Sequence, residues 1–239
     1  MCYHVSIPDK AQLEEFLGLG VNVNDWTTFY HHLSAFSFAK IPVMTQEDHT
    51  RVQAIRWGLI PHWCKDETQA KELMGMTLNA KSETIFEKPS FKSSIEHKRC
   101  LIFVNGFFEW RDFNKKKYPY FITMKNQKVF AMGGIHESWV NKETGEIINT
   151  CSIVTTPSNE LLSKIHNIKL RMPLIFTKNK MMEWLNNGLA KEQIQKLQNP
   201  LEDGLLEATS ISKLITSRKE ETNVPEVKIR FDYPELEKI

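Results

Sequence analysis

Hydrophobic side chains occupy both odd and even positions along residues 99–110. A strand covered on both faces has this pattern, because its side chains alternate between two buried surfaces. Shorter stretches rich in β-branched and aromatic residues follow at 118–124, 129–133 and 150–156, separated by turn-forming residues at 126–127 and 143–145. The pattern predicts a mainly antiparallel β-sheet or a partly closed barrel.

Helices are predicted around this sheet. Residues 9–17 form a short helix in which Asp9 can accept hydrogen bonds from the first free backbone N–H groups. Residues 157–165, 178–185 and 190–197 also have helical composition. The fold class is therefore α+β, one domain built on the sheet with inserted helices. We expect this domain to span residues 1–220, and we expect the charged residues 221–239, interrupted by Pro225 and Pro234, to form a C-terminal strand or tail packed on it.

Composition narrows the classes of function. The 239 residues are 41% hydrophobic and 25% charged, which is ordinary for a globular protein. The 31 basic and 29 acidic side chains leave a formal net charge of +2, so an anionic partner must be bound by a local basic patch. The sequence has no apolar signal-peptide core and no run of about 18 apolar residues. We expect a cytoplasmic protein without a membrane partner, and a monomer.

Cysteine and histidine spacing argues against a metal site. Cys2, Cys64, Cys100 and Cys151 are far apart in the sequence and form no Cys-x-x-Cys pair, as in a reduced intracellular protein. None of the eight histidines forms a His-x-x-x-His pair with acidic or cysteine partners. We expect no metal and no cofactor.

Cys2 is the first candidate for chemistry, because removal of Met1 would leave an α-amine and a thiol on one residue. Reference pKa values of about 7.7–8.0 for the amine and about 8.5 for the thiol leave both partly nucleophilic at neutral pH. The thiolate could attack an acyl carbon, or the amine could condense with an aldehyde and the thiol close a thiazolidine ring. On position alone, an incidental cysteine in a frayed terminus is the simpler interpretation.

Glu109 and His166 are candidate proton-transfer residues. Glu109 lies among Phe107, Phe108 and Trp110, where burial should raise its pKa into the range useful for a general acid or base. A structural carboxylate bound by backbone donors is an equal alternative. His166 follows a predicted helix, a position that suits catalysis, although a lone histidine is more often structural.

Aromatic residues lie beside basic ones in several segments, as in proteins that bind single-stranded nucleic acid. Trp57 and Trp63 flank one such segment, and the basic candidates include Lys81 and Arg171. The alternative is that the tryptophans belong to the core.

Taken in order, these segments resemble the SOS response-associated peptidase (SRAP) family. The stretches that carry the resemblance are Met1-Cys2, Trp57-Gly-Leu-Ile-Pro-His-Trp63, Asn79-Ala-Lys-Ser-Glu-Thr84, Lys88-Pro-Ser-Phe91, Arg99-Cys-Leu-Ile, Gly106-Phe-Phe-Glu-Trp110, Thr155-Thr-Pro-Ser-Asn159 and Ile165-His166 followed by Arg171-Met-Pro173.

The resemblance implies a β-rich fold whose members recognise abasic sites in single-stranded DNA and trap them covalently. It implies that Cys2 forms a thiazolidine with the ring-opened sugar and that Asn79 positions it. Glu109 would shuttle protons, and His166 would assist sugar opening or turnover of the linkage. The DNA-binding residues that it implies are Trp63, which would stack on a base, Lys81 and Arg171, which would contact phosphates, and His4 and Pro42.

The chain departs from the family pattern in three segments. Tyr3-His4 replaces the common Gly-Arg, and Lys81 replaces an arginine, keeping the charge but losing the bidentate geometry. Four residues separate His166 from Arg171 where the family often has one, so Arg171 is expected at a shifted position.

Three functions remain open on the sequence. The first is DNA–protein crosslinking at abasic sites, with associated lyase activity as an option and association with the nucleoid when bound to DNA. The second is a cysteine peptidase or hydrolase that uses Cys2, with autocatalytic removal of Met1 as its minimal reaction. The third is a non-catalytic single-strand binding module in which Cys2 is incidental.

Overall fold

The computed structural model describes residues 2–236. Within them the chain forms thirteen β-strands, six α-helices and three short 3-10 helices. The strands are β1 (His4–Ile7), β2 (Tyr30–Ser34), β3 (Lys40–Thr45), β4 (Gln53–Trp57), β5 (Asn79–Lys81), β6 (Arg99–Val104), β7 (Gly106–Phe113), β8 (Lys116–Met124), β9 (Phe130–Val140), β10 (Ile147–Pro157), β11 (Arg171–Pro173), β12 (Ile175–Phe176) and β13 (Leu206–Ser210). The α-helices are α1 (Lys10–Leu17), α2 (Glu67–Met76), α3 (Lys92–His97), α4 (Glu160–Ile165), α5 (Met181–Trp184) and α6 (Lys191–Leu197), and the 3-10 helices are Ala35–Ser37, Lys213–Thr216 and Pro225–Lys228.

Five strands close into a barrel. Going round it, β10 pairs with β4, β4 with β3, β3 with β6, β6 with β9, and β9 returns to β10. The β4–β10 pair is parallel and the other four are antiparallel. The short strands β5 and β11 extend β10 beyond the ring, and β12 extends β9. The predicted α+β class and the mainly antiparallel barrel are confirmed, and the ring of five strands is closed where a partly closed barrel was expected.

A second sheet has the strand order β13-β8-β7-β1-β2 and places the N-terminal strand between β7 and β2. Strand β1 runs antiparallel to β7, with Val5 opposite Phe107. Two residues further along this register, Tyr3 lies level with Glu109. The pairing therefore brings the start of the chain to the acidic residue of β7.

The prediction of one continuous strand over residues 99–110 was wrong. Two strands of different sheets cover this stretch, and the chain bends between them at Asn105, whose backbone N–H donates to Ser6 O at 2.8 Å. The Asn105 side chain donates to Lys128 O at 2.8 Å, so it is a structural amide. Every residue of β6 is buried, which explains the apolar pattern but not the break.

Gly106 starts β7 because no side chain fits there. A Cβ atom at this position would lie 2.5 Å from Phe121 Cε2 and 2.6 Å from Ile122 O on the neighbouring strand β8. Glycine therefore permits the close approach of the two strands.

The helices follow the predictions in part. Helix α1 begins as expected after Asp9, whose side chain accepts from Gln12 N at 2.8 Å, and α6 lies within the predicted range. The helix predicted from residue 157 begins later, because Pro157 ends β10 and Asn159 caps α4. The segment predicted at 178–185 contains one turn, α5, and the patterns of α2 and α3 were not recognised.

The C-terminal segment packs on the second sheet without forming a strand. From residue 221 to 236 it has a 3-10 turn and one β-bridge, between Ile211 and Arg230. Val227 is fully buried in a small cluster with Phe108, Ile211 and Ile215. The prediction that this segment forms a strand was therefore wrong for residues 221–236, whereas a tail packed on the domain was the other predicted form. Residues 237–239 lie outside the described part. The predicted domain boundary at residue 220 stays a prediction. None of the helices in residues 2–236 is long and apolar enough to cross a membrane.

Candidate functional site

Cys2 lies at the junction of the two sheets, and its side chain is fully buried. Its carbonyl oxygen accepts a 2.9 Å hydrogen bond from Asn79 Nδ2. Asn79 is itself buried at the start of β5, opposite Ile153 of β10. The carbonyl of Tyr3 accepts from Ala35 N at 2.8 Å. These hydrogen bonds anchor the terminal strand, which argues against the alternative that Cys2 lies in a frayed terminus. Met1 lies outside the described residues.

Glu109 is close enough to this anchor for its charge to act on the Cys2 thiol. Only 4% of it is exposed, and burial raises the pKa of its carboxyl to about 7. Burial also raises the pKa of the Cys2 thiol well above its usual range, and the Glu109 charge adds to the effect. The site therefore contains a neutral thiol beside a carboxyl that can both give and take a proton near neutral pH.

His166 caps the C-terminal end of α4 and faces Glu109. Its Nδ1 lies 2.9 Å from the carbonyl oxygen of Arg171, which can only accept, so Nδ1 carries the proton. Nε2, 3.8 Å from Glu109 Oε2, is then the basic nitrogen. Burial lowers the pKa of His166 to about 4, so the ring is neutral at pH 7.

The four residues between His166 and Arg171 form a compact turn. The Asn167 side chain exchanges two hydrogen bonds with the backbone of Asp112 on β7, at 3.0 and 2.8 Å, and Leu170 N donates to His166 O at 2.9 Å. Leu170 has φ 50°, a left-handed conformation that costs a branched side chain free energy. Arg171 consequently remains adjacent to His166 despite the longer connection.

Arg171 is held by another carboxylate. Its guanidinium forms two hydrogen bonds with Glu83, at 2.6 and 2.9 Å, and one of 2.7 Å with Thr155 O. A phosphate contact at Arg171 would therefore compete with Glu83. Lys81, two residues before Glu83, is exposed at the end of β5.

Two depressions flank Tyr3, which lines both. The first is lined by Tyr3, Asn79, Lys81, Lys88 and Phe91 among others, and the second by Tyr3, His4, Glu109, Trp110, His166, Ile168 and Lys169 among others. We call the second the Glu109 pocket. The inserted turn after His166 contributes Ile168 and Lys169 to it.

Trp63 and Trp57 have different environments. Trp63 is 41% exposed, and its indole N–H donates to Pro89 O at 3.3 Å, beside the first depression. Trp57 is fully buried and donates to Leu78 O at 2.9 Å, so for Trp57 the core alternative is correct.

His4 and Pro42, the remaining two expected contacts, differ in accessibility. His4 is half-buried in the Glu109 pocket, where its Nδ1 lies 2.9 Å from His32 Nε2. Pro42 is buried in the barrel strand β3, opposite Ala54. A side chain covered in this way cannot contact DNA on the surface, and Pro42 is withdrawn from the expected set.

Sequence reasoning missed several residues of the site. Glu83 lies within the family-like segment 79–84, but only its ion-pair partner Arg171 was assigned a role. His32 and Thr222 reach the site through His4, and Lys169 through the inserted turn. The one available signal was the histidine pair His31-His32 in an otherwise β-like segment. Within residues 2–236, no three His, Cys, Asp or Glu side chains cluster in a way that could hold a metal ion.

A model of the SOS response associated peptidase (SRAP) family matches residues 1–218. The chain belongs to the SRAP family. Curated proteins similar to it include the abasic site processing protein YoqW of Bacillus subtilis, 37% identical over 78% of this chain and 80% of YoqW. YoaM of the same organism, also named an abasic site processing protein, is 35% identical over 75% of this chain and 76% of its own length.

A vertebrate protein and two solved structures are also similar to this chain. The abasic site processing protein HMCES of Xenopus tropicalis is 29% identical over 63% of this chain and 50% of HMCES. Among solved structures, a protein from Bacteroides thetaiotaomicron superposes with a TM-score of 0.86 and 36% identity, covering 96% of this chain and 100% of the other. One from Bordetella bronchiseptica, at 18% identity and a TM-score of 0.75 over 88% of this chain and 100% of the other, shares the fold.

Proposed function

We propose that this protein processes abasic sites in single-stranded DNA by joining Cys2 covalently to the ring-opened sugar. The observation that carries the proposal is the placement of Cys2, whose carbonyl is held by Asn79 at 2.9 Å while Glu109, with a pKa of about 7, lies close enough to perturb the thiol. The names of YoqW, YoaM and HMCES as abasic site processing proteins support the same substrate.

The proposed reaction begins at the α-amine that removal of Met1 exposes. The amine adds to the C1′ aldehyde of the open sugar and gives a carbinolamine. Protonated Glu109 then gives a proton to the departing hydroxyl, so that water leaves and an iminium ion forms. The Cys2 sulfur adds to the iminium carbon and loses its proton to the Glu109 carboxylate. The products are a five-membered thiazolidine and one molecule of water.

The state of the thiol favours this order over peptide cleavage. Attack on a peptide carbonyl requires a thiolate at the outset. Burial and the Glu109 charge instead keep the Cys2 sulfur protonated. An iminium ion is a stronger electrophile than an amide, and it forms beside a sulfur that can lose its proton during ring closure. The aldehyde therefore suits the site better than a peptide bond.

The surface around the site suits a nucleic acid strand. We propose that Trp63 stacks on a base beside the lesion, that Lys81 contacts a phosphate, and that His4 contacts the strand in the Glu109 pocket. Arg171 would bind a phosphate after releasing Glu83. His166 would assist opening of the sugar through Nε2. The same iminium ion could also allow strand cleavage, which is the lyase option, and we propose that the protein acts as a monomer.

The test uses a single-stranded oligonucleotide with one abasic site and a denaturing gel. Wild-type protein should give a shifted band that survives denaturation, and Cys2→Ala should not. The Cys2→Ala variant keeps the α-amine, so borohydride should trap its iminium ion as a second, reductant-dependent band. Cys64→Ala, which changes a buried cysteine of another cluster, is the matched control and should crosslink normally.

Each other result selects a different function. Reversible binding that Cys2→Ala leaves unchanged, with no covalent band, would point to a binding module. Cleavage of peptides without any trapped DNA would favour the peptidase. Intact mass spectrometry of the active protein should show loss of Met1, and crosslinking by protein that retains Met1 would contradict the amine-first reaction.

A further inference from the structure

A chain of three side chains leads from the Glu109 pocket to the C-terminal segment. His4 Nδ1 lies 2.9 Å from His32 Nε2, and His32 Nδ1 lies 2.9 Å from Thr222 Oγ1. His4 lines the pocket, His32 is 92% buried between the two, and Thr222 is half-buried at the outer end. Thr222 lies beyond residue 218, where the match to the SRAP family ends.

The three groups are fixed in position. The rings of His4 and His32 stack at 5.1 Å, and His4 also meets the edge of Trp110 at 5.0 Å. The Asn223 side chain accepts from the backbone N–H of His32 and of its neighbour His31. The C-terminal segment therefore holds both the strand and the ring of His32.

This geometry allows two hydrogen-bond directions. Burial lowers the pKa of His4 and of His32 to about 4, so each neutral ring has one donor and one acceptor nitrogen at pH 7. A threonine hydroxyl can donate or accept. In one direction His4, which lines the pocket, has Nε2 as its donor nitrogen, and in the other direction Nε2 is the acceptor. A proton taken at Nε2 can pass from Nδ1 to His32, from His32 to Thr222, and from the Thr222 hydroxyl to water, and the reverse steps return one.

The proposed reaction needs such a path. At neutral pH part of the Cys2 amine is an ammonium ion, and it must lose a proton before it can attack the aldehyde. Bound DNA would cover the pocket and restrict bulk water. Glu109 can hold one proton at a time, and that proton is needed for the departing hydroxyl.

We infer that His4, His32 and Thr222 form a proton relay between the Glu109 pocket and solvent, so that the C-terminal segment is part of the active site. This inference rests on the proposed function. In it, Thr222 and His32 are positioning and relay residues, and His4 is the member that meets the substrate.

The test compares crosslinking rates at saturating protein and constant pH for four variants. Thr222→Val removes the outer hydroxyl, Thr222→Ser keeps it, and His32→Gln keeps hydrogen-bonding groups but cannot pass a proton through a ring. Thr144→Val, in the turn between β9 and β10, is the matched control. Each rate is measured with increasing imidazole, which can carry protons in place of the relay.

We expect Thr222→Val and His32→Gln to crosslink roughly tenfold more slowly. This is less than the roughly 10²–10⁴-fold loss typical when a general acid or base is removed, because some water still reaches the pocket. Imidazole should restore their rates, while Thr222→Ser and Thr144→Val should match wild type throughout. A folded Thr222→Val or His32→Gln protein at the wild-type rate, or a slow one that imidazole does not rescue, overturns the relay. Failure of wild type to form any Cys2-dependent product would instead reject the proposed function.

Discussion

Replacing Glu109 by glutamine should stabilise the protein above pH 7 while abolishing rapid crosslinking. Burial raises the Glu109 pKa from its usual value of 4.5 to about 7, so the folded state binds a proton more tightly than the unfolded chain. As pH rises from about 4.5 to above 7, the unfolded chain ionises first, and the folded state is progressively destabilised. At about 1.4 kcal/mol for each pH unit of difference, the ionised carboxylate costs about 3 kcal/mol above pH 7. A neutral amide in its place has no such dependence.

The measurement is urea unfolding of wild type and Glu109→Gln at about pH 5 and about pH 8.5. Between pH 5 and pH 8.5, the free energy of unfolding of the variant should rise relative to that of wild type by roughly 2–3 kcal/mol. The buried histidines titrate in both proteins and largely cancel in this difference. A difference that is the same at both pH values would refute the assignment of a raised pKa to Glu109, whatever the variant does to the crosslinking rate.

Two further predictions concern the strand contact and the arginine. Gly106→Ala should destabilise the protein by about 1–3 kcal/mol in a thermal melt, because its Cβ would lie 2.6 Å from Ile122 O, whereas Gly75→Ala in α2 meets no atom within 4 Å and should be neutral or stabilising. Glu83→Gln should free Arg171 and steepen the salt dependence of single-strand binding by about 0.7 in log–log slope, one phosphate contact. Glu14→Gln, in an exposed pair with Lys10, is its control, and equal slopes for both would contradict the competition.

The sequence was sufficient to predict the burial and raised pKa of Glu109, but not the two separate strands around it. Large apolar neighbours were enough to expect a raised pKa for Glu109, because desolvation depends on local burial. The break at Asn105 was missed, because buried strands of two sheets have the same apolar pattern and periodicity does not report which sheet a residue joins. Gly106, directly after Asn105, was the one sequence signal of this break. The reason for a glycine there is its close contact with β8, which only the three-dimensional structure shows.

Polar contacts between residues far apart in the sequence were the other feature that the sequence could not predict. The family resemblance assigned Arg171 to phosphate, but the guanidinium is bidentate to Glu83, 88 positions away in the sequence. The contact from His32 to Thr222 spans 190 positions. No local pattern encodes such pairs, since each depends on how the sheets and the C-terminal segment pack. Pro42 failed for a related reason, because its burial is set by the closure of the barrel.

The position of the site is consistent with the proposed use of Cys2 as a nucleophile. Terminal residues usually fray, and a mobile aminothiol would lose the advantage of a fixed orientation. In this protein β1 is an inner strand of its sheet, with β7 on one side and β2 on the other, and Asn79 reaches from the barrel to hold the carbonyl of Cys2. The residue is therefore fixed from its carbonyl side, which leaves the amine side for the reaction. Glu109 lies on β7 of the same sheet as β1. Asn79 on β5 and His166 after α4 lie on elements that extend the barrel. A substrate bound at this junction would contact both sheets, so any change that alters their packing should reduce crosslinking even when every reacting group is retained.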